Sequence, residues 1–201
     1  VGKNYAKHKI EMGGVAERDA FPLIFLKPNS SVIHPGSAIR RPPRCTELHH
    51  EVELGVVIGK RASSIAKADW MEYVGGYVLA LDLTSRNEQA EAKEKGWPWA
   101  WSKGQDTFCP MSLELTTEQI PDPHNVELHC SVDGKERQRG NTGDMLFRID
   151  ELMEYISAGM TLEPGDVILT GTPHGVGPVE PGQKITAGIT GITEMTFDVT
   201  E

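Results

Sequence analysis

Leu54-Gly55-Val56-Val57-Ile58 is an apolar, largely β-branched run closed by Gly59, and it reads as a buried strand. Just ahead of it stand Glu51 and Glu53, two residues apart. Side chains alternate along a strand, so both carboxylates point to one face and Val52 to the other. Two such charges at the end of a buried strand repel, and both stay ionised only if something cationic sits between them. Two readings are open on this stretch alone. One is a hard divalent ion bound by oxygens; the other is a pair of solvated glutamates on a strand end.

The chain around it has 201 residues, enough for one domain with a substantial core and short for two. Its formal net charge of −9 argues against nucleic acid or an anionic membrane as the main partner. No apolar run has the length of a membrane-spanning helix. Cys45, Cys109 and Cys130 are widely spaced and odd in number, which suits a reducing compartment and offers neither a zinc nor a disulfide framework. The chain starts at Val1, and Val1-Gly2-Lys3-Asn4-Tyr5 reads like the end of a strand already under way. Residues ahead of Val1, with any targeting segment, are therefore expected.

In chain order, Tyr5 to Gly13 has short helical character, with His8 and Glu11 on one face at i and i+3. An isolated pair of this kind ordinarily reads as a solvent-exposed salt-bridged turn. Leu23 to Leu26 is expected to be a short apolar strand closed by the turn cluster Lys27-Pro28-Asn29-Ser30. Arg40, Arg41 and Arg44 read as a solvated charge run. Ile65 to Tyr73 carries helical spacing stopped by Gly75-Gly76, and Tyr77 to Leu81 is a second buried strand that delivers Asp82 at its end.

Ser85 to Lys95 reads as an amphipathic helix ending at Gly96, with Arg86 and Gln89 near its start. Three tryptophans around Pro98 suggest a packed loop that carries Lys103. Val126 to Val132 alternates as a strand, Asp133-Gly134 is a hairpin turn, and Asp150 to Ser157 is a helix. The strand Val167 to Leu169 runs into Gly171-Thr172-Pro173-His174-Gly175-Val176-Gly177, a loop whose N–H groups and Thr172 hydroxyl suit a carboxylate. No Gly-Lys-Ser/Thr follows, so it is not a phosphate loop. Ile185 to Val199 supplies two closing strands. Strands outnumber helices without alternating with them, which points to one β-rich α+β domain.

Several stretches together resemble the fumarylacetoacetate hydrolase family, closest to its short, single-domain acylpyruvate hydrolase and oxaloacetate decarboxylase branch. They are Gly-Lys-Asn-Tyr-Ala-x-His with Glu11 following, Phe25-Leu26-Lys27-Pro28, His49 to Leu54, Leu81 to Gln89, Lys103 to Phe108, and Gly165 to Pro173 with x-Gly-Val-Gly after it. The resemblance implies a mixed β-roll or barrel-like fold over residues 1–201 and a homodimer. It implies Mg²⁺ or Mn²⁺, with Ca²⁺ able to take the same place, held by Glu51, Glu53 and Asp82. It further implies a catalytic His8/Glu11 pair on a lid helix within residues 5–14, a catalytic Lys103, and substrate contacts from Arg86, Gln89 and Thr172. The chain departs from the family pattern at His49-His50, where an Asp-aromatic pair is common, at Lys3 in place of Arg, and at Gly104-Gln105 beside Lys103.

The function so implied is cleavage of a C–C bond in a 2-oxo acid. Acylpyruvates such as acetylpyruvate or fumarylpyruvate would be hydrolysed to pyruvate and a carboxylate, and oxaloacetate decarboxylated, through one stabilised pyruvate enolate. A mitochondrial matrix or cytoplasmic location goes with that reading. Two rivals stand beside it: an isomerase or decarboxylase of a hydroxymuconate-type diacid on the same scaffold, and a metal-binding protein without turnover.

Overall fold

The computed structural model describes residues 1–201. In chain order the strands are β1 (Val32–Ile33), β2 (Ile39–Arg40), β3 (Leu48–His50), β4 (Val52–Ile58), β5 (Val74–Leu81), β6 (Thr84–Ser85), β7 (Cys109–Pro110), β8 (Glu127–Val132), β9 (Lys135–Asn141), β10 (Val167–Leu169), β11 (Gly177–Val179), β12 (Lys184–Ile189) and β13 (Thr193–Thr200). The helices are α1 (Ala6–Glu11), α2 (Arg86–Lys95), α3 (Ala100–Lys103) and α4 (Ile149–Gly159). The strands form sheets ordered β10-β4-β5, β11-β3-β6, β2-β13-β12-β8-β9 and β1-β7, with parallel pairing at β1/β7 and β2/β13 and antiparallel pairing elsewhere. This is the mixed, strand-rich α+β architecture that the sequence leads one to expect.

β4 is the central strand of its sheet and is covered on both sides. Val52, Leu54, Val56 and Ile58 enter the main core with Leu79, Leu81 and Leu128. The opposite face carries Glu53, Gly55 and Val57, and a Cβ at Gly55 would come within 2.6 Å of Val78. A side chain there would push β5 or β10 away from β4, so the backbone spacing at the site depends on this glycine. The Asp133-Gly134 turn joins β8 to β9 with both residues at positive φ, 49° and 75°, the geometry of a two-residue hairpin. α4 buries Ile149, Leu152, Met153 and Ile156 at helical spacing, and the Glu151 carboxylate accepts the Arg148 N–H at 3.0 Å to cap its start.

Some expectations need correction. Leu23 to Leu26 is not a sheet strand: only Leu23 bridges, to Gly2, and Leu26 is 66% exposed. A short apolar run reports stickiness rather than a pairing partner, and this one crosses the surface to deliver Lys27. The spacing over Ile65 to Tyr73 becomes a 3₁₀ helix at Lys67–Tyr73, and Gly75-Gly76 lie within β5 instead of preceding it. The tryptophan segment is not packed throughout, since Trp97 and Trp101 are exposed. α2 buries Glu88, Gln89 and Ala92, so its inner face is polar rather than an apolar stripe. Arg41 pairs with Glu180 and Glu201 at the surface.

Candidate active site

The chain passes from one sheet to another at Glu51, which lies between β3 and β4. Asp82 follows β5 directly, and its N–H donates to the Glu51 carbonyl at 2.9 Å, extending the β4/β5 ladder by one bond. Backbone pairing therefore sets the two residues side by side. Glu53 faces Ala80 in the same ladder. The outcome is three buried side chains, Glu51, Glu53 and Asp82, offering oxygens that all lie within 4.8 Å of one another.

Cations surround two of the three. Lys103 is buried, and its Nζ bridges Glu51 Oε2 at 2.9 Å and Asp82 Oδ2 at 2.7 Å. Lys27 Nζ donates to Asp82 Oδ1 at 2.7 Å and to the Lys103 carbonyl. Arg86 Nη2 meets Glu51 Oε1 at 2.7 Å, and its Nη1 holds Gln89 Oε1 at 2.6 Å. The Phe25 ring centroid lies 5.0 Å from the Lys103 ammonium and walls it from solvent. Burial alone raises the Glu51 pKa, but Lys103 and Arg86 outweigh it and hold the carboxyl well below its usual range. Burial lowers Lys103, and the facing Asp82 and Glu51 charges more than reverse this, so its pKa is raised.

Glu53 has no side-chain cation of its own. It accepts one hydrogen bond, from Gly171 N–H to Oε2 at 2.7 Å. Burial, with Asp82 and Glu51 adding to it against the pull of the Val1 ammonium, pushes its carboxyl up to about 8. That imbalance is the test of fit for a metal. Three carboxylate oxygens converge, one carboxyl lacks a countercharge, and the donor set is all oxygen, which suits a hard divalent ion and not zinc.

On the other side, α1 presents His8, 5% exposed, with Nδ1 3.1 Å from Glu11 Oε2. Glu11 also accepts the Gly175 N–H at 3.0 Å. His8 is thus buried while Glu11 stays at the surface, tied to the glycine-rich loop, so the pair is not a free solvated turn, and His8 Nε2 is the nitrogen without a protein partner. The loop's N–H groups at Gly171 and Gly175 are spent on Glu53 and Glu11, and do not stand open to a carboxylate as the sequence suggests. Gly171 has φ 104°, and a Cβ there would meet Asn4 Cβ at 2.7 Å. Asn4 in turn ties Phe147 and Thr170 through its side chain. Thr172 is buried beside this point.

Residues 1–200 match the family description "Fumarylacetoacetate (FAA) hydrolase C-terminal". The chain belongs to the fumarylacetoacetate hydrolase family. An oxaloacetate decarboxylase, mitochondrial, of Dictyostelium discoideum is 54% identical over 201 residues, covering 99% of this chain and 91% of that one. The oxaloacetate tautomerase FAHD1, mitochondrial, of Arabidopsis thaliana is 53% identical, covering 99% and 88%. A solved structure of fumarylpyruvate hydrolase from Pseudomonas aeruginosa, in complex with Mn²⁺ and pyruvate, superposes with a TM-score of 0.94 at 34% identity, covering 99% and 87%.

Within this member of the fumarylacetoacetate hydrolase family, the residues singled out from the sequence fall into one region in two groups: Glu51, Glu53, Asp82, Lys103, Arg86 and Gln89 around the carboxylates, and His8, Glu11 and Thr172 around the glycine-rich loop. His49 stands behind them: it takes a hydrogen bond from Arg86 Nε at 3.3 Å and holds Glu47 at 2.7 Å. Gln105 turns away from Lys103 and donates to Glu88 at 2.6 Å. Sequence reasoning missed two residues. Lys27 sits in the Phe25-Leu26-Lys27-Pro28 stretch, where a lysine next to proline signals only a turn. Gln138 lies in β9, among Lys135, Glu136, Arg137 and Arg139, and nothing in that charged run marks the single buried member.

Proposed function

We propose that the protein is a divalent-metal-dependent enzyme acting on short 2-oxo acids, oxaloacetate foremost and acylpyruvates such as acetylpyruvate and fumarylpyruvate beside it. The three converging carboxylates with Lys103 set between two of them carry the proposal. All these substrates share a carboxylate next to a 2-oxo group, and all pass through the same pyruvate-type enolate when the C3–C4 bond breaks. The names of the Dictyostelium and Arabidopsis relatives support oxaloacetate as the substrate.

Glu51, Glu53 and Asp82 would hold a divalent cation, Mg²⁺ or Mn²⁺, which would supply Lewis acidity at this site. The facing Asp82 and Glu51 carboxylates raise the Lys103 pKa, which favours the ammonium form as a cation where negative charge develops. Arg86 and Gln89 hold each other and present a polar edge to the substrate. Glu11 orients the His8 ring, and Nε2 is the basic atom. In acylpyruvate hydrolysis His8 takes a proton from the water that attacks the distal carbonyl; the C3–C4 bond breaks, a carboxylic acid leaves, and C3 is reprotonated to give pyruvate. Decarboxylation of oxaloacetate needs no water. Tautomerisation, for which the Arabidopsis relative is named, needs only the C3 proton moved, and His8 is the positioned base.

The 201 residues act as one catalytic domain in this reading, with residues 5–14 as the lid and a homodimer as the working form. The open apolar groove between Leu26, Val167, Leu169 and Met160 supports that dimer. The mitochondrial relatives support a location in the mitochondrial matrix or cytoplasm. The test is a panel of oxaloacetate, acetylpyruvate and fumarylpyruvate, read as enol absorbance and as pyruvate released, with Mg²⁺ and with EDTA. Metal-dependent turnover of oxaloacetate is expected; inertness toward the whole panel in Mg²⁺ contradicts the proposal.

A further inference from the structure

Gln138 reaches inward from β9 and is 1% exposed. Its Oε1 receives the Val52 N–H at 3.1 Å and lies 2.9 Å from His50 Nδ1. Its Nε2 lies 2.8 Å from Thr172 Oγ1 and 2.8 Å from the Pro173 carbonyl. A backbone N–H only donates and a carbonyl only accepts, so these two partners independently decide which end of the amide is oxygen and which is nitrogen. The assignment leaves no freedom downstream. Both Nε2 hydrogens are used, one on Thr172, so the Thr172 oxygen is an acceptor in that bond.

A hydroxyl has one hydrogen, and the Thr172 proton must go elsewhere. The structure gives it no acceptor within the protein. Thr172 follows Gly171, whose N–H donates to Glu53, so the residue stands next in the chain to the carboxylate cluster. On the far side, His50 donates from Nδ1 to Gln138, which leaves Nε2 as the bare, unprotonated nitrogen; that atom is buried with no partner.

We propose that Gln138 is a positioning residue that polarises Thr172, making its hydroxyl a one-way donor to a substrate oxygen acceptor. This rests on the 2-oxo acid reading of the site, and it adds a selectivity: an ionised carboxylate is favoured over the corresponding amide. A carboxylate has only acceptors to offer, whereas an amide whose NH₂ meets a fixed donor loses that bond.

The experiment measures binding of pyruvate and pyruvamide to the Mn²⁺-loaded protein by calorimetry, in wild type, Gln138→Glu, Thr172→Val and the double variant. In Gln138→Glu the new oxygen accepts the Thr172 proton, so the hydroxyl turns its lone pairs to the ligand. Gln138→Glu and Thr172→Val are each expected to weaken pyruvate by about tenfold, the cost of one hydrogen bond to a charged group. The double variant is expected to match Thr172→Val if Gln138 reaches the ligand through that hydroxyl and not through Val52, His50 or Pro173. The preference for pyruvate over pyruvamide is expected to fall several-fold in Gln138→Glu, which a role in folding alone would not move. Because a buried carboxylate can unfold the site, Gln138→Met is measured beside it, with melting curves and Mn²⁺ affinity for each. This neutral variant frees the Thr172 hydroxyl to rotate and is expected to lose several-fold in pyruvate affinity while binding Mn²⁺ normally. Additive losses in the double variant, or an unchanged pyruvate-to-pyruvamide ratio in folded Gln138 variants, overturn the inference. Failure of wild type to bind pyruvate at all instead overturns the 2-oxo acid reading on which it stands.

Discussion

The two halves of the site are built differently. The carboxylates hang from β4, β5 and the residues at their ends, and the backbone ladder that fixes them is flanked by the largest buried side chains of the core. His8 and Glu11 sit on α1, six residues long, with no side-chain cap on its start. A helix that short does not hold itself together in water. It is pinned from outside: Lys9 to Asp19 at 2.8 Å, Arg18 to Glu151 at 3.0 Å and over the Phe147 ring at 4.1 Å, and Glu11 to Gly175 N–H. One half is made rigid by secondary structure, the other by a handful of polar contacts. The half that holds charges of both signs together is the rigid one; the half proposed as the lid is held by bonds that water and salt can loosen.

This contrast is easiest to break at Glu53. Glu53→Gln keeps the acceptor for Gly171 N–H and removes the charge, so metal affinity by calorimetry and turnover of every substrate in the panel are expected to be lost together. His8→Ala is expected to lower acylpyruvate hydrolysis by about 10²–10⁴-fold, the usual worth of a positioned base, with metal binding unchanged. Hydrolysis at a near wild-type rate in that variant would remove His8 from the mechanism. Arg18→Ala touches only a pin of the lid; an exposed ion pair is worth at most about 1 kcal/mol, so a few-fold rise in KM, enhanced at low salt, is the expected limit. A larger loss would mean that the lid is as rigid as the strands.

The same comparison has a pH signature in chelator-treated protein. Glu53 is held up to about 8 when folded, against an ordinary 4.5. The folded state then binds this proton more tightly than the unfolded chain, so the group's stabilising contribution is complete below 4.5 and is lost as pH rises through 8. Melting temperature is expected to fall over that interval, and Glu53→Gln, which does not titrate, is expected to flatten that part of the slope. A slope unchanged in the variant would show that Glu53 is not the protonated member of the cluster.

Much of this is legible in the amino-acid sequence. The two buried runs ending in Glu51/Glu53 and Asp82 could be read because continuous burial and strand alternation leave a one-dimensional trace. The Asp-Gly hairpin could be read because so few residues adopt its backbone. The misreadings share a cause. Leu23 to Leu26 is apolar without being paired, and hydrophobicity does not say which strand, if any, lies alongside. α2 is polar on the face turned inward because that face lines a site instead of a core. Lys27 and Gln138 are brought to the cluster by chain crossings 55 and 34 residues from their partners Asp82 and Thr172, respectively, and such crossings leave no periodic mark.

The proposed function stands on Glu51, Glu53 and Asp82 forming one divalent-metal site. Titration of Mn²⁺ into chelator-treated protein, followed by calorimetry and by the electron paramagnetic resonance of the bound ion, tests it most directly. One ion per chain is expected, with a proton released on binding below pH 8 as the Glu53 carboxyl ionises, and no binding in Glu53→Gln. Absence of binding in wild type, or binding that survives Glu53→Gln unchanged, would contradict it.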